Sequence, residues 1–244
     1  MIIESETNDK IINFVTQLFE NTISHQDLRS YYEIGISNDI TKDVLLFDKN
    51  VKSNNEFAGF TILPSTEFDK IQILISYKSI TPDVIAHELA HMYDMVLFAK
   101  YFCNSNLYKI KESKYFQTFI YWTEFHVKQV DIPITQLCYD ILEYTAKNDW
   151  LNDFKIQISN YFYPQYTQKF LAKNEVEMRD IMWYLGEIAV CNLYDDNNTY
   201  EIPQDVIDIY GERLLQLNQH LLNCINFEGF AENITSLHQY FLDL

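Results

Sequence analysis

Residues 87 to 91 read His-Glu-Leu-Ala-His, and no other stretch of the chain carries as much chemistry in as few residues. On a helix, residues four apart stand one turn apart on the same side, so the imidazoles of His87 and His91 can close on one zinc ion. Glu88 is not placed to join them as a ligand. It sits beside the metal, where a carboxylate can act as general base on a zinc-bound water. Two histidines that only satisfied core hydrogen bonds would leave Glu88 between them unexplained. The spacing therefore points to a zinc hydrolase.

The surrounding residues are those that start and sustain a helix. Thr81 is expected to cap the first backbone N–H groups, Pro82 fits the first helical position, and Asp83 suits the positive end of the helix dipole. No Gly or Pro interrupts Val84 to Phe98, and Val84, Ile85, Leu89, Met92, Val96 and Leu97 supply apolar surface on more than one side. That composition predicts a buried helix rather than a solvated one.

Upstream, Ile11, Ile12, Phe14, Val15, Leu18 and Phe19 recur at helical spacing and predict an amphipathic helix over residues 8 to 20. Four short runs then read as strands: Tyr32 to Ile36, Val44 to Phe47, Phe57 to Leu63 and Ile71 to Ile75, the last two joined as a hairpin through Pro64 to Lys70. The strand Ile71 to Ile75 ends just before the zinc helix. It is either an ordinary sheet strand or one that pairs with an extended substrate by β-augmentation. Beyond Phe98 the pattern is helical, over residues 114 to 130, about 136 to 147, 175 to 193, 204 to 224 and 231 to 242. Pro133 and Pro203 punctuate these segments, and Asp195-Asp196-Asn197-Asn198 marks a loop. The implied class is α+β: a small mixed sheet packed on the active-site helix, with a mostly helical C-terminal half.

A catalytic zinc needs a third protein ligand and an open position. Position 94 is Asp and position 97 is Leu, so a third histidine six residues after His91 is excluded. The other common arrangement takes a Glu from a later helix, and Glu124, in Tyr121-Trp122-Thr123-Glu124-Phe125-His126-Val127, is the main candidate. A carboxylate set among such residues needs a partner if buried, which zinc would supply. His126 is a rival; it lies about 200° around a helix from Glu124, so the two cannot face one ion. Glu112 and Glu143 are further alternatives. Asp94, three residues after His91, is either an orienting partner for a ligand imidazole or a solvated aspartate. Tyr121, Tyr184 and His220 are candidate donors to an oxyanion, each with a plain packing or surface role as its alternative.

Composition narrows the class. A chain of 244 residues with 48% hydrophobic and 16% aromatic residues has the material for a sizeable core. Its formal charge of −17 argues against a broad nucleic-acid-binding face and against an anionic membrane surface, and favours a basic partner or substrate. The N-terminal residues lack the pattern of a secretory signal, and no apolar stretch reaches membrane-spanning length. Cys103, Cys138, Cys191 and Cys224 are widely spaced without a CxxC pair, the usage expected of free buried thiols in a reducing cytoplasm.

Gly59-Phe60-Thr61, the strand Ile71 to Ile75, Ala86-His87-Glu88-Leu89-Ala90-His91 and Trp122-Thr123-Glu124-Phe125 together resemble the ImmA/IrrE-like metallopeptidases, compact gluzincin-type enzymes of bacteria, phages and mobile elements. The resemblance spans roughly residues 30 to 132; Val127 stands where that family often has a small residue, and the helical C-terminal part has no counterpart. It implies a metallopeptidase core over residues 1–132, with a helical part over 133–244 packed on it or continuous with it. It further implies a cytoplasmic zinc endopeptidase making limited cuts in a regulatory protein, with His87, His91 and Glu124 holding Zn2+ and Glu88 moving the proton. The competing reading is a zinc-binding protein–protein interaction module with latent or no proteolytic activity.

Overall fold

Ile71, Ile73 and Ile75 are buried while Gln72 and Leu74 between them are not, the period of two that buries one face of a strand. In the computed structural model, which describes residues 2–47, 57–142, 163–173, 176–195 and 198–243, that strand is the middle of a three-stranded sheet. Strands β1 (Tyr32–Ser37), β2 (Gly59–Ile62) and β3 (Ile71–Ser76) lie in the order β1-β3-β2. β1 runs parallel to β3 with Tyr32 opposite Ile71, and β2 runs antiparallel to it with Gly59 opposite Ile75. The sheet is mixed, as expected. Both edges of β3 are paired, so Ile71 to Ile75 is an ordinary sheet strand and cannot accept a substrate backbone. Among the described residues, β2 is the outer strand on its side.

The chain separates into two compact units, Met1–Ser113 with Pro133–Cys138, and Lys114–Ile132 with Tyr139–Leu244. The first contains helix α1 (Ile2–Phe19), a π-helical turn over Glu20–Ser24, α2 (Ile40–Phe47), the sheet and α3 (Pro82–Phe102). α3 packs against β2, β3 and α1, with Phe19 meeting Tyr93 edge to face at 6.1 Å. Ile85, Leu89, Met92, Val96 and Phe98 are buried, so the helix is covered on several sides, as its residues predict. Its start differs in one respect: the Thr81 side chain makes no capping bond, and the backbone carbonyl of Thr81 accepts from Ile85 N–H at 3.1 Å. Pro82 and Asp83 occupy the first turn.

Four elements depart from the sequence reading. Val44 to Phe47 is the end of α2 rather than a strand. Asp39 Oδ1 accepts from Lys42 N–H at 3.2 Å and opens a helix there. Ile40 and Val44, four apart, are buried while Leu46 is 73% exposed, a helical pattern that outweighs the strand preference of the run. Helix α4 (Phe116–Leu142) runs through Pro133, which does not break it; the part of the second expected helix beyond Leu142, residues 143–147, lies outside the described residues. A proline inside a helix costs about 3 kcal/mol, but Val130, Ile134 and Cys138 recur one turn apart on either side of it and are all buried. The expected helix 204–224 is two, α7 (Gln204–Tyr210) and α8 (Glu212–Leu222), divided at Gly211, whose φ of +79° glycine adopts without strain. Helix α5 (Tyr163–Leu171) was not foreseen, being short and largely polar.

The second unit adds α6 (Met178–Tyr194) and α9 (Phe227–Leu242) to these helices. Trp122 on α4 is its centre: it stacks on Phe230 at 4.1 Å and donates Nε1–H to the Cys224 carbonyl at 2.7 Å. α6 approaches α4 at Gly186, where a Cβ would come within 2.5 Å of the Phe125 carbonyl oxygen and 2.9 Å of Lys128 Cβ. No helix among the described residues is long and apolar enough to cross a membrane. Gly186→Ala is predicted to force α6 away from α4 and to destabilise the chain by about 1–3 kcal/mol, read as a lowered urea midpoint; an unchanged midpoint would show that the contact yields.

Candidate metal centre

α3 brings His87 and His91 to one side of a buried helix. Their Nε2 atoms lie 3.1 Å apart with the ring planes at 83°, so both nitrogens point to a common place. Two ligands of a tetrahedral zinc site stand about 3.3 Å apart, and the pair needs little adjustment to meet that spacing. Glu124 on α4 completes a group: His87, His91 and Glu124 each offer a ligand atom, and these atoms all lie within 4.8 Å of one another. Two imidazoles and one carboxylate form a donor set that suits zinc and leaves a coordination position for a reactant. His87-Glu88-x-x-His91 with a distal Glu124 thus matches an HExxH-type zinc metallopeptidase site.

Glu88 is 6% exposed and held by β2. Thr61 Oγ1 donates to Glu88 Oε2 at 2.6 Å, a short bond of the kind a charged acceptor makes. Opposite Ile75, Gly59 leaves the space that the glutamate occupies, since a Cβ there would meet Glu88 Cγ and Oε1 at 2.7 Å. Residues 59 and 61 fall on the same face of a strand, so the period of two was the available signal for both. The bond from Thr61 to Glu88 spans 27 residues and had no such signal.

Glu124 Oε2 accepts from the indole Nε1–H of Trp183 on α6 at 2.6 Å. Trp183 escaped the sequence reading because a tryptophan on an amphipathic helix looks like packing. His126, the rival ligand, stacks on Trp122 at 4.7 Å with the planes 12° apart and is not in the metal-capable group. Glu112 is exposed on a 3-10 turn, and Glu143 lies outside the described residues. Asp94 is fully buried, which removes the reading of a solvated aspartate. Tyr121 packs on Phe241 at 5.2 Å, and His220 on Tyr240 at 5.1 Å. Tyr184 stacks on Phe170 at 4.3 Å, its hydroxyl 3.4 Å from Thr167 Oγ1, and burial pushes its phenol up to about 12. All four cysteines are free and buried. Burial pushes the thiols of Cys138 and Cys224 up to about 11 and that of Cys191 to about 12, away from the thiolate form that binds metals.

One turn beyond Glu124 on α4, Lys128 pairs with Asp131 at 3.2 Å. Burial opposes the charge on Lys128, but Asp131 and Glu187 outweigh it and leave the ammonium more firmly protonated than usual. Burial raises the Glu187 carboxyl from 4.5 to about 7, against the pull of Lys128. A carboxyl that holds its proton more tightly when folded favours the folded state at low pH, and this contribution is lost as pH rises from about 4.5 through about 7. Glu187→Gln should remove that slope. In denaturation curves between pH 5 and 8, the variant is predicted to gain on the parent chain as pH rises; parallel curves would contradict the assignment.

No known protein-family model, curated protein or solved structure matches this chain.

Proposed function

We propose that the chain is a zinc-dependent endopeptidase that cuts a specific regulatory protein. The observation that carries this reading is Glu88, a buried carboxylate bonded by Thr61 and set between two members of a His/His/Glu group. A zinc site that only stiffened the fold would need His87, His91 and Glu124 but no Glu88, and burying an extra carboxylate is costly without a role to retain it. This favours the enzyme over a zinc-binding interaction module.

In the proposed reaction, His87, His91 and Glu124 would hold zinc, which when bound would supply Lewis-acid polarisation of the scissile carbonyl and acidify a water. Glu88 takes the proton from that water and delivers it to the leaving amine. Thr61 fixes which way the carboxylate faces, and Gly59 leaves room for it. Asp94, three residues after His91 on α3, is proposed to orient a ligand imidazole. β2, the outer strand on its side among the described residues, supports a peptide substrate, because its backbone can pair with an extended segment. The formal charge of −17 favours a basic segment in the target. The ImmA/IrrE-like resemblance supports the same reading and a cytoplasmic site of action.

Glu88→Gln is predicted to keep one zinc per chain and to lower cleavage by about 100-fold or more. The assay compares new protein N-termini across the proteome of cells expressing either form; identical sets would refute the mechanism. Gly59→Ala should also retain zinc while displacing Glu88, with a loss of about 100-fold in cleavage once a substrate is in hand.

A further inference from the structure

We infer that Trp183 is the positioning residue for the carboxylate that completes the metal site. The inference rests on the reading of His87, His91 and Glu124 as a zinc site and adds to it the group that aims the third ligand.

A glutamate has three side-chain torsions, the last of them broad, so the backbone position of Glu124 does not by itself fix where its oxygens point. Trp183 supplies the missing constraint. Its Nε1–H donates to Glu124 Oε2 at 2.6 Å, a close contact for an N–H donor. An indole nitrogen only donates. The contact therefore gives one Glu124 oxygen a fixed donor, and Trp183 cannot compete with it as a ligand.

Two further features hold the indole in place. Lys128 Nζ lies 5.0 Å and Arg179 Cζ 5.1 Å from the ring centroid, close enough for both cations to attract the ring and to draw electron density from it. That withdrawal strengthens the N–H as a donor. Lys128 stands one turn after Glu124 on α4, so one face of that helix presents both the ligand and a cation for the ring. The second feature is Gly186, three residues after Trp183 on α6. With no Cβ between the helices, α6 comes close enough to α4 for the indole to reach Glu124.

The rival account is that a half-buried indole N–H has simply found an acceptor, as most do. That account predicts an effect on stability and none on metal affinity. The deciding experiment measures zinc binding to the full-length chain by competition with a chromogenic chelator. Trp183 is replaced by Phe and, in a second protein, by 3-benzothienylalanine, which keeps the bicyclic shape and lacks the N–H. The parent chain should bind one zinc, and both replacements should bind it about 10- to 100-fold more weakly. The benzothienyl protein preserves the packing of the ring, and it decides the question if the Phe variant does not fold. Zinc should also change the tryptophan emission of the parent chain, a response lost in Trp183→Phe although Trp122 and Trp150 remain. Zinc affinity of the benzothienyl protein within about twofold of the parent chain would overturn the inference alone. Failure of the parent chain to take up zinc would overturn the metal-site reading, and the inference with it.

Discussion

Two imidazole nitrogens held 3.1 Å apart on one helical turn impose conditions on the elements around them. The geometry depends on an unbroken α3, since a kink between residues 87 and 91 would part the rings. It also depends on α3 being held from more than one direction, because a freely solvated helix would let them turn. α1 and the sheet provide that hold. Burial brings its own requirement, because α3 carries Glu88 and Asp94 inward with its apolar residues. A buried carboxylate must be bonded or neutralised, and for Glu88 the Thr61 hydroxyl meets that need with a bond that also sets its direction.

The helical unit solves a related problem in a different way. It holds Glu124, Asp131 and Glu187 around Lys128, and burial pushes the Glu187 carboxyl up to about 7. Lys128 offsets this locally: it pairs with Asp131, pulls on Glu187 and lies over the Trp183 ring. Glu187 nevertheless remains well above the ordinary carboxylate range. These charged groups lie along the α4–α6 contact, while Trp122, Phe227 and Phe230 make an aromatic centre elsewhere.

What could be read from the sequence was what depends on near neighbours. His87, Glu88 and His91 declare themselves within five residues, because helical spacing and residue type both act locally. Glu124 stood out as a lone acid in an aromatic stretch, and the alternating isoleucines of β3 announced a strand. Two errors came from weighing one local signal against another. Val44 to Phe47 has strand-like side chains but obeys the cap at Asp39, and Pro133 is tolerated because burial continues on both sides of it. The contacts of Thr61 with Glu88 and of Trp183 with Glu124 were illegible for a different reason. They close over 27 and 59 residues, and nothing in a threonine or a tryptophan names its distant partner.

The path of α4 has a consequence for how the chain comes together. One uninterrupted helix leaves the second compact unit after Ile132, lends Pro133–Cys138 to the first, and returns. No single cut in the backbone leaves both units whole. During synthesis the first unit is complete only after Cys138 has emerged, when the opening segment of the second has already been made. The two units are thus successive in sequence only in outline. The chain that supplies Glu124 must be present before the part bearing His87 and His91 is finished.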